Sequence, residues 1–186
     1  MRLLSALTLL FFGFSAAAET IESVDYKYYE ISPRTPYEIK PELMRRSPIR
    51  AGHGSYNGHT DWYIDWKYQT AQGPYGCQLI SVQTRVHVLH ILPSLSEYVT
   101  DEKTIEVFNK FNAALSQHEK NHGDHGLSAA REMDKIFSEV QPQRSCRDLA
   151  RMLDGIGQSI VQKYTQLDRE YDRTTNNGET EGAVIY

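Results

Sequence analysis

The amino-acid sequence predicts an α+β domain. Its first half carries β-prone runs in which apolar and polar residues alternate, and its second half carries two long stripes of apolar residues at helical spacing. A third observation gives that domain a focus: His118, Glu119 and His122 spell H-E-x-x-H inside the first helical stripe. Roughly 0.02 such matches are expected by chance in a chain of this composition.

Residues 1–18 read as a signal peptide. Arg2 supplies the positive end, Leu3–Phe14 is apolar, and Ala16-Ala17-Ala18 is a small-residue cleavage site before Glu19. The apolar stretch is shorter than the about 20 residues a membrane helix needs, and no basic stop-transfer flank follows it. The expectation is an exported protein, periplasmic or secreted, whose single domain spans 19–186 and has no membrane span after cleavage. Losing Arg2 moves the formal charge from −4 to −5, and no basic block is present, which argues against nucleic acid as a partner. An apolar fraction of 40% argues against disorder. The only two cysteines, Cys77 and Cys146, are expected to be bridged in an oxidising compartment, closing a loop of about 70 residues worth roughly 4 kcal/mol in the chain-entropy model.

Tyr26–Ile31 is aromatic and predicts a first strand. Thr35-Pro36-Tyr37-Glu38 has the form of a capping box with Pro at the first helical position, so a short helix through Ile39, Leu43 and Met44 should follow. Residues 47–60 are rich in Ser, Pro, Gly, His and Asn and predict a loop, with His53 and His59 as minor metal-ligand candidates. Trp62, Ile64, Trp66 and Tyr68 alternate against Asp61, Tyr63, Asp65 and Lys67, which predicts a half-buried strand with an aromatic face. A turn at 72–76 leads into the longest strand signal, Cys77–Leu92. Ile80, Val82, Thr84, Val86 and Val88 should face one way, His87 and His90 should lie on opposite faces, and Pro93 should end the strand. The two runs with a turn between them predict an antiparallel pair.

Thr100 or Asp101 is placed to cap the central helix. Ile105, Phe108, Phe111 and Leu115 lead at helical spacing into His118 and His122, and the same face continues through Ala129, Met133 and Phe137. The motif therefore lies on the buried side of an amphipathic helix, where solvated histidines are not expected. A last helix starts near Ser145 with Leu149, Leu153, Ile160 and Tyr164 on its stripe. Gly155 and Gly157 within it invite a kink or close helix–helix contact. The segment after Thr174 is either loose or a short docked return.

Imidazoles at i and i+4 lie one turn apart on one face and can share a Zn²⁺ ion, while the Glu between them can take a proton from a metal-activated water. A catalytic site of this kind normally takes three protein ligands. His125 lies within about 60° of the same arc but about 7.5 Å along the axis from the midpoint of the pair, too far for a straight helix.

The ordered set of a Tyr-rich strand, Trp62/Ile64/Trp66/Tyr68, Cys77, His118/Glu119/His122, Cys146 and Tyr171-Asp172 with Thr175 and Gly178 resembles the bacterial predicted secreted zinc-dependent proteases, catalogued as domain of unknown function 922. The match covers nearly all of 19–186. The resemblance implies a zincin-like fold, a sheet packed on the H-E-x-x-H helix with a second helix behind it. It also implies a metallopeptidase in which Glu119 is catalytic and His118 and His122 bind zinc. Asp172 is the favoured third ligand, with His125 and Asn177 as alternatives. This chain departs from relatives that carry His at the position of Asn177. A peptide or protein would be the substrate, received by β-addition at an edge strand within Leu79–Val88. The competing expectation is a non-catalytic envelope protein that binds metal or a partner on the same fold.

Overall fold

The computed structural model describes residues 17–51 and 54–186. Most of the expected signal peptide, and His53, lie outside those residues. In chain order the elements are β1 (Ala17–Ile31), a 3-10 turn at Pro36–Glu38, α1 (Ile39–Arg46), β2 (Arg50–Ala51), β3 (Gly54–Ser55), β4 (His59–Gly73), β5 (Gly76–Leu95), α2 (Glu102–Ser138), α3 (Cys146–Thr175) and a second 3-10 turn at Glu179–Glu181. The fold is α+β. Its main sheet has the order β1-β5-β4, with β1 parallel and β4 antiparallel to β5. The helices α2 and α3 pack on one face of this mixed sheet.

The hairpin forms as expected, but its longer strand changes phase. Cys77 and Leu79 face the core, and so do Val82, Thr84, Val86, Val88, His90 and Leu92, while Ile80 is 44% exposed. The register explains the change: Gln69 pairs with Ser81 and Thr70 with Leu79, so Ile80 is the extra residue of a β-bulge. The expectation that Ile80 shares the face of Val82 is corrected by that one-residue slip, which reverses every side chain beyond it. Pro93 does not end the strand. β4 reaches only as far as Ile91, so beyond it β5 has β1 alone as a neighbour, an edge-like setting that tolerates a missing N–H. Residues Ser81–Ile91 have partners on both sides, so Ser81–Val88 is not an edge; among the described residues the free edges of the main sheet belong to β1 and β4.

Three smaller expectations change. β1 begins well before Tyr26, supported by parallel pairing with β5 that no local pattern reveals. Thr35 makes no side-chain cap, and Glu38 instead accepts the backbone N–H of Arg34. The 47–60 segment contains the two-residue pairing of β2 with β3.

The α2 cap is Asp101, whose carboxylate accepts the Thr104 N–H at 2.8 Å, and Ser145 caps α3 through the Asp148 N–H. One core cluster joins Val82, Val86, Met133, Phe137, Leu149 and Leu153 between the sheet and the two helices. A second joins Ile31, Ile39, Leu43, Phe108, Phe111 and Leu115 with Ala183 and Ile185, so the C-terminal segment is docked. The Cys77–Cys146 disulfide, with Cα atoms 5.0 Å apart, ties the start of β5 to the start of α3. The first cluster holds α3 alongside α2 and the sheet, and the second seats the C-terminal segment against the N-terminal half of α2.

Candidate metal centre

His118, Glu119 and His122 are 3%, 5% and 8% exposed on the inner face of α2. The helix runs unbroken through Gly123 and Gly126. Both glycines serve packing: a Cβ at Gly126 would lie 2.5 Å from the Trp62 ring, and one at Gly123 would lie 2.8 Å from the His90 ring. The sheet therefore approaches α2 closely at the motif.

The last turns of α3 bring Asp172 to the two histidines. His118 Nε2 and His122 Nε2 are 3.2 Å apart, and Asp172 Oδ1 lies 3.2 Å from the first and 2.9 Å from the second. Four ligands about 2.05 Å from a tetrahedral zinc stand about 3.3 Å from one another. The three observed separations lie close to that value, and two imidazoles with one carboxylate suit a borderline cation.

Electrostatics favour positive charge at this point. Burial works against the His118 and His122 cations. Hydrogen bonds to Asp172 and Glu181 overcome it for His118, and those to Asp168 and Asp172 raise His122 to about 10. Burial raises Asp172 less than its two imidazole partners lower it, and its carboxyl ends well below the usual range. Two protonated Nε2 atoms aimed at one oxygen would repel each other; a single cation facing their lone pairs satisfies all three donors. The residues present therefore fit a metal ion.

The outer nitrogen of each imidazole is held by a second carboxylate. His122 Nδ1 donates to Asp168 Oδ1 at 2.9 Å, and His118 Nδ1 donates to Glu181 Oε2 at 2.8 Å. Such partners fix the tautomer and leave Nε2 for the cation. Asp168 also accepts His125 Nδ1 at 2.6 Å and the Trp62 indole N–H at 2.6 Å. Glu181 also accepts the Tyr171 hydroxyl at 2.8 Å, and the Tyr171 ring stacks on His118 with centroids 4.8 Å apart. Burial, with the Glu181 carboxylate helping, pushes the Tyr171 phenol up to about 12, so it stays a donor.

Glu119 lies beside the pair in a cleft of about 690 Å³. Its Oε2 accepts from the Thr60 hydroxyl at 2.8 Å. Burial pushes its carboxyl up, against the pull of that hydrogen bond and of the two histidines. The structure thus brings together His118, Glu119, His122 and Asp172. It pairs His125 with Asp168 instead. Asn177 lines the cleft in a left-handed turn, with φ 53°, and His59 pairs with Asp61 at 3.1 Å on the cleft side of β4.

Sequence reasoning missed Asp168, Glu181, Thr60 and His90 as parts of this centre. A signal existed for Asp168. It stands four residues before Asp172, so α3 presents two carboxylates one turn apart, matching the two histidines on the neighbouring helix.

A family model described as a bacterial protein of unknown function (DUF922) matches residues 26–179, and the chain belongs to that family. Neither the curated proteins nor the solved structures contain a match to it.

Proposed function

We propose that this chain is an exported zinc-dependent peptidase of zincin-like architecture. The observation that carries the reading is the meeting of His118 Nε2, His122 Nε2 and Asp172 Oδ1 at separations close to those of a zinc shell, with Glu119 alongside in one cleft. When bound, zinc lowers the pKa of water to about 7 and polarises a carbonyl. Glu119 accepts the proton of the attacking water and returns it to the leaving amine. Asp168 and Glu181 hold the imidazoles. The edge of β4 left unpaired among the described residues, whose first residues line the cleft, offers backbone groups to an extended peptide by β-addition.

The disulfide fits an oxidising compartment, periplasmic or external, and no helix among the described residues is long and apolar enough to cross a membrane. The test compares the mature chain with Glu119→Gln for bound zinc and for hydrolysis of a broad peptide library. The expected result is one zinc in each and cleavage by the unsubstituted protein alone. Stoichiometric zinc without cleavage of any peptide would favour the non-catalytic metal-binding protein.

A further inference from the structure

Behind Glu119 lies a buried histidine that the proposed chemistry leaves unused. His90, on the inner face of β5, is 2% exposed, with its ring against Gly123 and its outer side stacked on Tyr26 at 4.8 Å between centroids. Its Nδ1 is 2.8 Å from Thr60 Oγ1. The same hydroxyl is 2.8 Å from Glu119 Oε2 and 2.9 Å from the Glu119 backbone oxygen.

Counting hydrogens assigns the roles. The Thr60 hydroxyl has one proton, and both Glu119 oxygens can only accept while the carboxylate is ionised. The proton therefore belongs to Glu119, and the contact with His90 is a hydrogen bond only if Nδ1 carries the hydrogen and Oγ1 accepts it. When Glu119 holds a proton on Oε2, the direction of the Thr60–Glu119 bond reverses, because a hydroxyl can accept there as readily as it donates.

We propose that His90 and Thr60 are positioning residues for Glu119, a donor chain running from His90 Nδ1–H through the Thr60 hydroxyl to Oε2. The chain holds one carboxylate oxygen in place and leaves Oε1 for proton transfer. This inference rests on the peptidase reading for its kinetic consequence, but its hydrogen-bond direction stands independently of that reading. The chain links three elements across both layers of the site: His90 comes from the central strand, Thr60 from the strand beside it and Glu119 from α2. A shift of α2 relative to the sheet would break it.

The experiment has two arms. Nitrogen-15 NMR of the imidazoles in the metal-free protein is expected to show neutral His90 as the Nδ1–H tautomer. Thr60→Val, which keeps the side-chain shape, is expected to release it to the Nε2–H form. In the zinc-loaded protein, Thr60→Val is expected to lower kcat by about 10–100-fold with zinc content and KM little changed, while Thr60→Ser restores most of the rate. His90→Asn, which keeps a donor near the Nδ1 position, should retain more activity than His90→Phe. An Nε2–H ring in the unsubstituted protein would overturn the proposal, and so would unchanged kcat in Thr60→Val. If the unsubstituted protein cleaves nothing, the peptidase reading fails, and the tautomer measurement alone decides the chain.

Discussion

Asp168 Oδ1 lies 2.9 Å from His122 Nδ1, and the same carboxylate takes the N–H groups of His125 and Trp62. One acidic side chain on α3 thereby ties a candidate ligand to its helix neighbour and to the aromatic face of β4. Asp168→Ala is expected to weaken zinc binding by about 10–100-fold, the usual cost of losing a carboxylate behind a metal-bound imidazole. Chelator competition measures it; an unchanged affinity would show that His122 needs no such support.

The glycines of α3 make a matched pair. A Cβ at Gly157 would sit 2.5 Å from the Trp66 ring, whereas one at Gly155 meets nothing within 4 Å. The expected close contact at Gly157 is therefore with the sheet and not with a helix. Gly157→Ala should destabilise by about 1–3 kcal/mol through overpacking. Gly155→Ala should stabilise by about 0.5–1 kcal/mol through helix propensity. Denaturant midpoints of the two variants should move in opposite directions.

Reducing the disulfide removes a cross-link between residues 69 apart in sequence. A loss of about 2–4 kcal/mol is expected, measured as the shift in unfolding free energy of a Cys77→Ser, Cys146→Ser double variant. A shift near zero would mean that the core cluster shared by β5, α2 and α3 alone fixes α3 against β5.

Stability should also depend on pH through His90. Burial lowers its pKa, so below about 6.5 the unfolded chain takes up a proton that the folded chain resists. More protons on the unfolded side means that this contribution falls as pH falls. The penalty is absent above the unfolded value, and it grows progressively from there down to the folded one. The stability difference between the unsubstituted protein and His90→Asn should therefore move against the unsubstituted protein between pH 7 and pH 5. A pH-independent difference would place His90 in a more hydrated setting.

The helices were legible because their signals are local. Asp101 and Ser145 stand where a cap must stand, and the apolar stripes repeat over many turns. The alternation of Trp62, Ile64, Trp66 and Tyr68 likewise marked β4 and its inner face. Ile80 was misassigned because a bulge has no residue signature, and both phases of Cys77–Leu92 offer apolar side chains. The early half of β1 went unseen because Glu19–Asp25 mixes acids with Ile and Val and draws its pairing from a strand more than sixty residues away. In the site, H-E-x-x-H could be read from spacing alone. The residues behind it could not, since Asp168, Glu181, Thr60 and His90 become neighbours only when α3, the tail and two strands close around one turn of α2.

Where Asp172 sits in the chain carries a consequence in time. It follows His122 by 50 residues and His118 by 54, and Glu181 comes later still. A polypeptide emerging N-terminus first presents both imidazoles long before the acids that complete their surroundings. Any ion picked up during that interval would be held loosely and exchanged freely. Tight, selective capture would have to wait until nearly all of the chain is free to fold.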